Sequence, residues 1–331
     1  MMDLALEAAR SCRLVTSPNP WVGCMIDAGE SQYTGATSVP GGNHAEINAL
    51  EAAGKRARGA DLYTTLEPCN HQGRTGPCVD AIIAAGVARV VVAIEDPDPV
   101  VSGQGIAALR EAGVAVEVGM RAVEAAELLT PYLKHRRTGL PWVVLKLAAS
   151  LDGRIAAPDA TSQWITGPEA RIDAHRLRAE SDAVLVGAGT VRADDPALTA
   201  RDWQPPTGVT PPTDQPLRVV LGSAPPDARV HPALEMDGPL EQVLGELGER
   251  GVIQLLVEGG ATTAAAFHRA GLVDHYAVYL APGLFGGDDA RPMFTGQGAA
   301  SVSDLWRGEI HAVTELGPDL RIDMRPLRTG Y

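Results

Sequence analysis

Four side chains in the first quarter of the chain carry the strongest chemistry: His44, Glu46, Cys69 and Cys78. The first two belong to the triplet HAE, and the cysteines lie in the stretch TLEPCNHQGRTGPC, from Thr65 to Cys78. One imidazole and two thiolates form a three-ligand set for zinc, which leaves the fourth tetrahedral position open to water. Zinc brings the ionisation of such a water close to neutral pH, so the set prepares a nucleophile. Glu46 is too close to His44 to be an easy fourth ligand on one helix, but it can shuttle protons. A lone histidine at a helix start reads as a cap or surface residue; the two downstream cysteines reverse that reading here.

The elements that must position these groups alternate. Asp3–Arg13 carries apolar residues at helical spacing. A Pro-rich turn, Ser17–Pro20, feeds a strand over Val22–Ile26. Within it Asn19 is either a turn residue between two prolines or an amide that hydrogen-bonds a ring, and Cys24 reads as a buried apolar thiol. Gly41 and Gly42 lead into Asn43, a good cap, and a helix is expected over His44–Ala57, with His44 and Glu46 in its first turn. Strands follow at Leu62–Leu66, Arg89–Ile94 and Val114–Val118, and helices at Cys78–Ala85 and Ile106–Ala112. This order implies an α/β layer fold with a largely parallel sheet and a site at strand ends and helix starts.

Glu124–Arg137 reads as one helix ending in Lys134, His135, Arg136 and Arg137, a solvated cationic end favourable to the helix dipole. Thr138, Gly139 and Pro141 break it, which sets a boundary between domains 1–140 and 141–331. The second half again alternates: strands at Asp182–Val186, Arg218–Leu221, Ile253–Glu258 and Tyr276–Leu280, and helices at Ala170–Ala179, Leu240–Arg250 and Thr262–Ala270. Asp202–Pro216, rich in Pro and Thr, reads as an irregular loop. Two strand-to-helix junctions, VGAGTV at Gly187 and Gly189 and VEGGATTA at Gly259 and Gly260, could admit a phosphate to backbone N–H groups. Neither completes G-x-G-x-x-G, and each is equally a tight turn without a ligand.

Composition narrows the function. A net charge of −13 argues against a nucleic-acid surface, while a small phosphorylated ligand needs only a few local cations. The start of the chain lacks the apolar run of a signal peptide, and no stretch reaches the roughly 20 apolar residues of a membrane helix. The four cysteines then read as thiols or ligands rather than a disulfide framework, and a cytoplasmic location is expected.

H-x-E followed by P-C and a second Cys is the pattern of zinc deaminases of nucleobases. The spacer is more specific: eight residues separate Cys69 from Cys78, against two in cytidine and nucleic-acid deaminases. SPNPWVGCMI, NHAEINAL, TLEPCNHQGRTGPC and EDPDPVVSGQG, in that order, resemble the deaminase half of the bifunctional riboflavin-biosynthesis deaminase/reductases. KLAASLDGRIA, SQWITG and ADDPALTAR, with the two glycine junctions, resemble the reductase half. The resemblance implies a cytidine-deaminase-like three-layer α/β/α domain, followed by a dihydrofolate-reductase-like α/β domain that uses NADPH. It implies zinc on His44, Cys69 and Cys78, Glu46 as catalytic proton carrier, and Asn19, His71 and Arg74 around a phosphorylated pyrimidine. It places Ala148, Trp164, Thr190, Asp194, Ser223, Gly260, Ala261, Thr262, Thr263, Ala264, Ala265 and Ala266 along the dinucleotide. Ser162, Arg178, Leu198, Arg201 and Glu258 would hold the second substrate; Lys146 and Asp152 lie near the reaction centre or serve as structural polar residues.

The chain departs from the family pattern at Thr37, Asn43, Gln72 and Asp98, and the segment from Ser223 to Leu240 reads as short by a strand. The expected reaction is deamination of a diaminopyrimidinone bearing a ribosylamino phosphate, then reduction of its ribosyl chain to ribityl, by a homo-oligomer that binds neither nucleic acid nor membrane. The alternatives are a nucleoside or tRNA deaminase with an appended domain, a zinc-stabilised regulator that binds a pyrimidine or nucleotide, or a member with one active half.

Overall fold

The computed structural model describes residues 1–71, 76–98 and 101–327. The chain divides into two compact units, one of residues 1–140 and 205–213, the other of 141–204 and 214–331.

The first unit holds, in order, α1 (Met2–Cys12), β1 (Gly23–Asp27), β2 (Gln32–Ala36), α2 (Ala45–Ala53), β3 (Asp61–Thr64), α3 (Cys78–Ala85), β4 (Arg89–Val92), α4 (Gln104–Glu111), β5 (Ala115–Val118), α5 (Ala122–Leu128) and α6 (Thr130–Thr138). Its sheet runs β2-β1-β3-β4-β5, antiparallel at β2-β1-β3 and parallel from β3 to β5. Two glycines make the layers possible. A Cβ on Gly23 would lie 1.8 Å from the Ala5 carbonyl oxygen of α1, and one on Gly35 would lie 2.3 Å from the Ala45 carbonyl oxygen of α2. Gly23 pairs with Ala36 and Cys24 with Gly35, so the two glycines face opposite sides of the sheet and admit a helix on each. On the α1 side, Ala5, Leu6, Met25, Tyr63, Val91 and Ala125 share one core.

Several expected boundaries move. QYTGA offers little apolar alternation and predicts no strand, yet it forms β2, an edge strand. The helix expected over His44–Ala57 is α-helical only from Ala45 to Ala53, since Gly54 turns to φ 53° and a 3₁₀ turn completes it. His44 therefore occupies the cap position, and the Asn43 amide donates instead to Glu51. The helix expected over Glu124–Arg137 is two helices, α5 and α6, that break at Leu129.

The second unit holds β6 (Trp142–Ser150), β7 (Arg154–Ala156), α7 (Pro168–Ala179), β8 (Ala183–Gly187), α8 (Ala188–Asp194), β9 (Leu217–Leu221), β10 (Leu234–Met236), α9 (Leu240–Glu249), β11 (Gln254–Val257), α10 (Ala261–Arg269), β12 (His275–Ala281), β13 (Arg291–Pro292), β14 (Gly308–Leu316) and β15 (Asp319–Pro326). Its large sheet has the order β10-β9-β8-β11-β6-β12-β15-β14, parallel from β10 to β12 and antiparallel at the last two. Val144, Val184, Val186, Leu256 and Tyr279 pack with Ala170 and Leu177 of α7. The intervening Val143, Leu185 and Leu255 are equally inaccessible, so the central strands are covered on both faces. The segment from Ser223 to Leu240 holds β10, three residues long, which pairs parallel with β9.

No helix among the described residues is long and apolar enough to cross a membrane.

Candidate functional site

The HAE and EPC motifs meet at the carboxyl ends of β3 and β4. His44 caps α2, Cys78 opens α3, and Cys69 lies in the loop between β3 and α3. Their donor atoms all fall within 4.8 Å of one another. His44 Nδ1 is 3.5 Å from Cys69 Sγ and 3.3 Å from Cys78 Sγ, and the Cys78 amide at the start of α3 donates to Cys69 Sγ at 3.4 Å. The Cys78 hydrogen bond draws the Cys69 thiol down to about 4, helped by His44, while sharing that proton and burial push Cys78 up. A histidine and two sulfurs at mutual ligand spacing fit a zinc ion.

Glu46 stands in the first turn of α2 and is only 3% exposed. Burial raises its pKa, and the neighbouring Cys69 charge adds to the rise. The Thr64 hydroxyl, bonded to the Leu66 carbonyl, lies 3.4 Å from Glu46 Oε1. Beside Glu46 the Cys24 thiol is fully buried and, by that burial, held neutral. His44, Glu46, Cys69, Asn19 and His71 all line one cavity of about 450 Å³. Asn19 also closes a turn through its N–H to the Thr16 carbonyl. Arg74 and Gln72 lie outside the described residues. Thr37 lines the cavity too, but its hydroxyl is spent on the Val22 backbone.

Two features of this cavity were not legible beforehand. Glu67 is buried and accepts four backbone N–H groups, from Asp96 and Gly103 on one oxygen and Gly105 and Ile106 on the other, at 2.9–3.3 Å. It thereby staples the N-terminus of α4 and the loop after β4 to the EPC turn. Arg136, expected on a solvated helix end, lines the same cavity, and its neighbour His135 is buried. In the sequence these are isolated charges; their meaning depends on segments 29 to 118 residues away.

The second unit gathers its expected residues around the ends of β8, β11 and β6. A Cβ on Gly187 or on Gly259 would fall 2.5–2.6 Å from Thr263, so both junction glycines permit close approach of α10 to the strand ends. Thr190 Oγ1 accepts the Gly260 N–H at 3.0 Å, linking the two junctions. Asp194 receives the Ser162 hydroxyl at 3.3 Å, and the Ser223 carbonyl accepts from Arg192 at 3.4 Å. Ala148 lies along β6 at the margin of the core, and Gly260 through Ala266 form the cap and first turns of α10. Trp164 is 67% exposed, with the Arg171 guanidinium 4.7 Å from its ring centre.

Glu258 follows β11 and grips Arg178 of α7 with both oxygens; Arg178 also donates to the Thr199 carbonyl at 3.1 Å. Lys146 Nζ lies 3.8 Å from Glu258. Burial pushes Glu258 up, but the Arg178 charge and hydrogen bonds, with Lys146, bring it down to about 2; burial lowers Lys146. Leu198 is buried at φ 51°, and Arg201, exposed, bonds Thr199 and pairs with Asp202. Asp152 takes Ser150, Phe285 and Gly286 as donors, which makes it a turn-closing carboxylate.

Comparison with known proteins follows this division. Residues 1–94 match the cytidine and deoxycytidylate deaminase zinc-binding region, and residues 141–321 match the RibD C-terminal domain. The chain is 41% identical to the riboflavin biosynthesis protein RibD of Escherichia coli, covering 96% of each, and 43% identical to that of Mycobacterium tuberculosis, covering 98% of this chain and 96% of the relative. Among solved structures, RibD of Acinetobacter baumannii superposes with a TM-score of 0.92 at 38% identity, over 99% of this chain and 98% of that one. A Thermotoga maritima protein described as a diaminohydroxyphosphoribosylaminopyrimidine deaminase/5-amino-6-(5-phosphoribosylamino)uracil reductase gives 0.86 at 32% identity, over 98% and 97%. Since the likeness runs through both halves of one continuous chain, the protein belongs to the RibD family of riboflavin biosynthesis proteins.

Proposed function

We propose that the first unit hydrolytically deaminates a diaminopyrimidinone carrying a ribosylamino phosphate, and that the second reduces the ribosyl chain of the product to ribityl with NADPH. The observation that carries the first step is the convergence of His44, Cys69 and Cys78 beside a buried carboxylate in one cavity. His44, Cys69 and Cys78 would hold zinc, which supplies Lewis-acid activation of water. Glu46 takes one proton from the attacking water and delivers it to the ring nitrogen, then carries the proton of the hydroxyl added at the ring carbon to the amine, which leaves as ammonia as the carbonyl forms. Burial, which disfavours the charged carboxylate, makes Glu46 readier to take up that proton. Thr64 restrains the carboxylate, and Asn19 and His71 on the cavity wall orient the ring and the ribosyl phosphate.

In the second unit the dinucleotide supplies hydride. The α10 start at Gly260, with Thr190 and Asp194 beside it, would hold its phosphates and ribose, and Trp164 would cover the ring. Arg178 and Arg201, both tied to Thr199, would hold the substrate; Glu258 keeps Arg178 in place, and Lys146 places a half-buried cation next to that pair. A homo-oligomer is in keeping with the outer strand β14, where Ile310 and Val313 are each 57% exposed. The cytoplasm is the compartment that suits the reduced thiols of the site.

The test is ammonia release from the diaminopyrimidinone phosphate, followed by NADPH oxidation once the deaminated product is supplied. Ammonia without NADPH oxidation would reduce the proposal to its first half; neither would remove it.

A further inference from the structure

The cavity in the first unit has an electrostatic problem. Its described lining includes four carboxylates, Glu46, Glu67, Asp96 and Asp98, yet the proposed substrate is a phosphomonoester. Among the described lining residues Arg136 is the sole lysine or arginine.

Arg136 is built into the wall. It projects from α6, donates through Nη2 to the Pro18 carbonyl at 3.3 Å, and lies 5.0 Å from the Tyr132 ring centre. Tyr132 is itself fixed, its hydroxyl donating to Asp96 at 3.1 Å, and Asp96 accepts the Asp98 N–H at 2.9 Å. The remaining feature is the buried Arg136 Nε, which makes no hydrogen bond and stands 3.8 Å from Asp98 Oδ2. That separation is too long for a hydrogen bond but well within Coulomb range. Arg136 thus presents a pre-oriented guanidinium with an unspent donor, next to a carboxylate that neutralises it without using that donor. A phosphate oxygen is a better partner for a guanidinium fork than a carboxylate at this distance.

We infer that Arg136 is a specificity-determining residue for the phosphate end of the deaminase substrate, with Asp98 as the charge partner that the phosphate displaces. The inference rests on the deaminase reading. Asp98, one of the departures from the family pattern, and Arg136 then act as a pair that tunes affinity for the dianion.

The full chain is assayed for ammonia release with the phosphorylated diaminopyrimidinone and with the same compound after phosphatase treatment. Arg136→Gln raises KM for the phosphorylated compound about thirtyfold, as loss of one charged hydrogen bond implies. It changes kcat less than about threefold and leaves the dephosphorylated compound's kinetics as in the wild type. Asp98→Asn lowers KM for the phosphorylated compound only. Equal effects of Arg136→Gln on both compounds, or no effect on either, overturn the inference. Zinc content and thermal midpoint identify a misfolded variant; Asp98→Asn and Arg136→Lys then decide, since both must alter KM for the phosphorylated compound selectively. A wild type that releases no ammonia from either compound overturns the deaminase reading beneath it.

Discussion

Replacing Glu258 with Gln gives a stability change whose size and pH dependence both follow from its surroundings. Glu258 is buried against Arg178 and Lys146, and its pKa falls from 4.5 to about 2. A group whose folded pKa is depressed contributes stability above its unfolded pKa and loses it as pH falls toward the folded one. The gap corresponds to about 3 kcal/mol at pH 7, falling by about a quarter at pH 4 and by more than half at pH 3. Gln is isosteric and uncharged, so it leaves two half-buried cations without their counter-ion; Arg178 cannot shed its proton, which places the cost at about 3 kcal/mol. Urea unfolding followed by tryptophan fluorescence reads this unit, because Trp142, Trp164, Trp203 and Trp306 belong to it and only Trp21 lies in the other. Wild type should exceed Glu258→Gln by about 3 kcal/mol at pH 7, with the difference shrinking as pH is lowered toward 3. A difference that is absent, or unchanged across that range, would mean that Glu258 does not carry a stabilising charge in the folded unit.

Two further perturbations test the framework of the first cavity. Glu67→Gln turns an amide NH₂ toward backbone donors now held by a carboxylate oxygen, so hydrogen exchange at Asp96, Gly103, Gly105 and Ile106 should accelerate at least about tenfold; unaltered protection would show that the staple is dispensable. Gly105→Ala drives a Cβ to 2.0 Å from the Pro68 carbonyl oxygen, a backbone atom that cannot step aside, and should cost roughly 2 kcal/mol or more in thermal or urea unfolding; a neutral result would mean that α4 can retreat from the EPC turn.

What the sequence disclosed and what it hid have separate physical causes. His44, Cys69 and Cys78 were readable as a set because few residue types bind zinc, and their donor atoms do converge. The alternating elements were readable because buried parallel strands such as Arg89–Val92 are continuous apolar runs. β2 and β10 escaped because an exposed five-residue edge and a three-residue strand carry too little pattern. Arg136 escaped for another reason: a cation in the last turn of a helix looks solvated until tertiary packing sets that helix beside Pro18 and Asp98. Glu67 likewise seemed part of a motif, while the four N–H groups that give it a task lie 29 to 39 residues downstream.

The central claim is that a zinc-holding triad and a separate buried carboxylate divide the work in the first unit. It is tested by measuring bound zinc and ammonia release together in the wild type and Glu46→Gln. The account predicts about one zinc per chain in both, with ammonia release lowered about a thousandfold in Glu46→Gln. A zinc-loaded Glu46→Gln protein that still releases ammonia within about tenfold of wild type would contradict it.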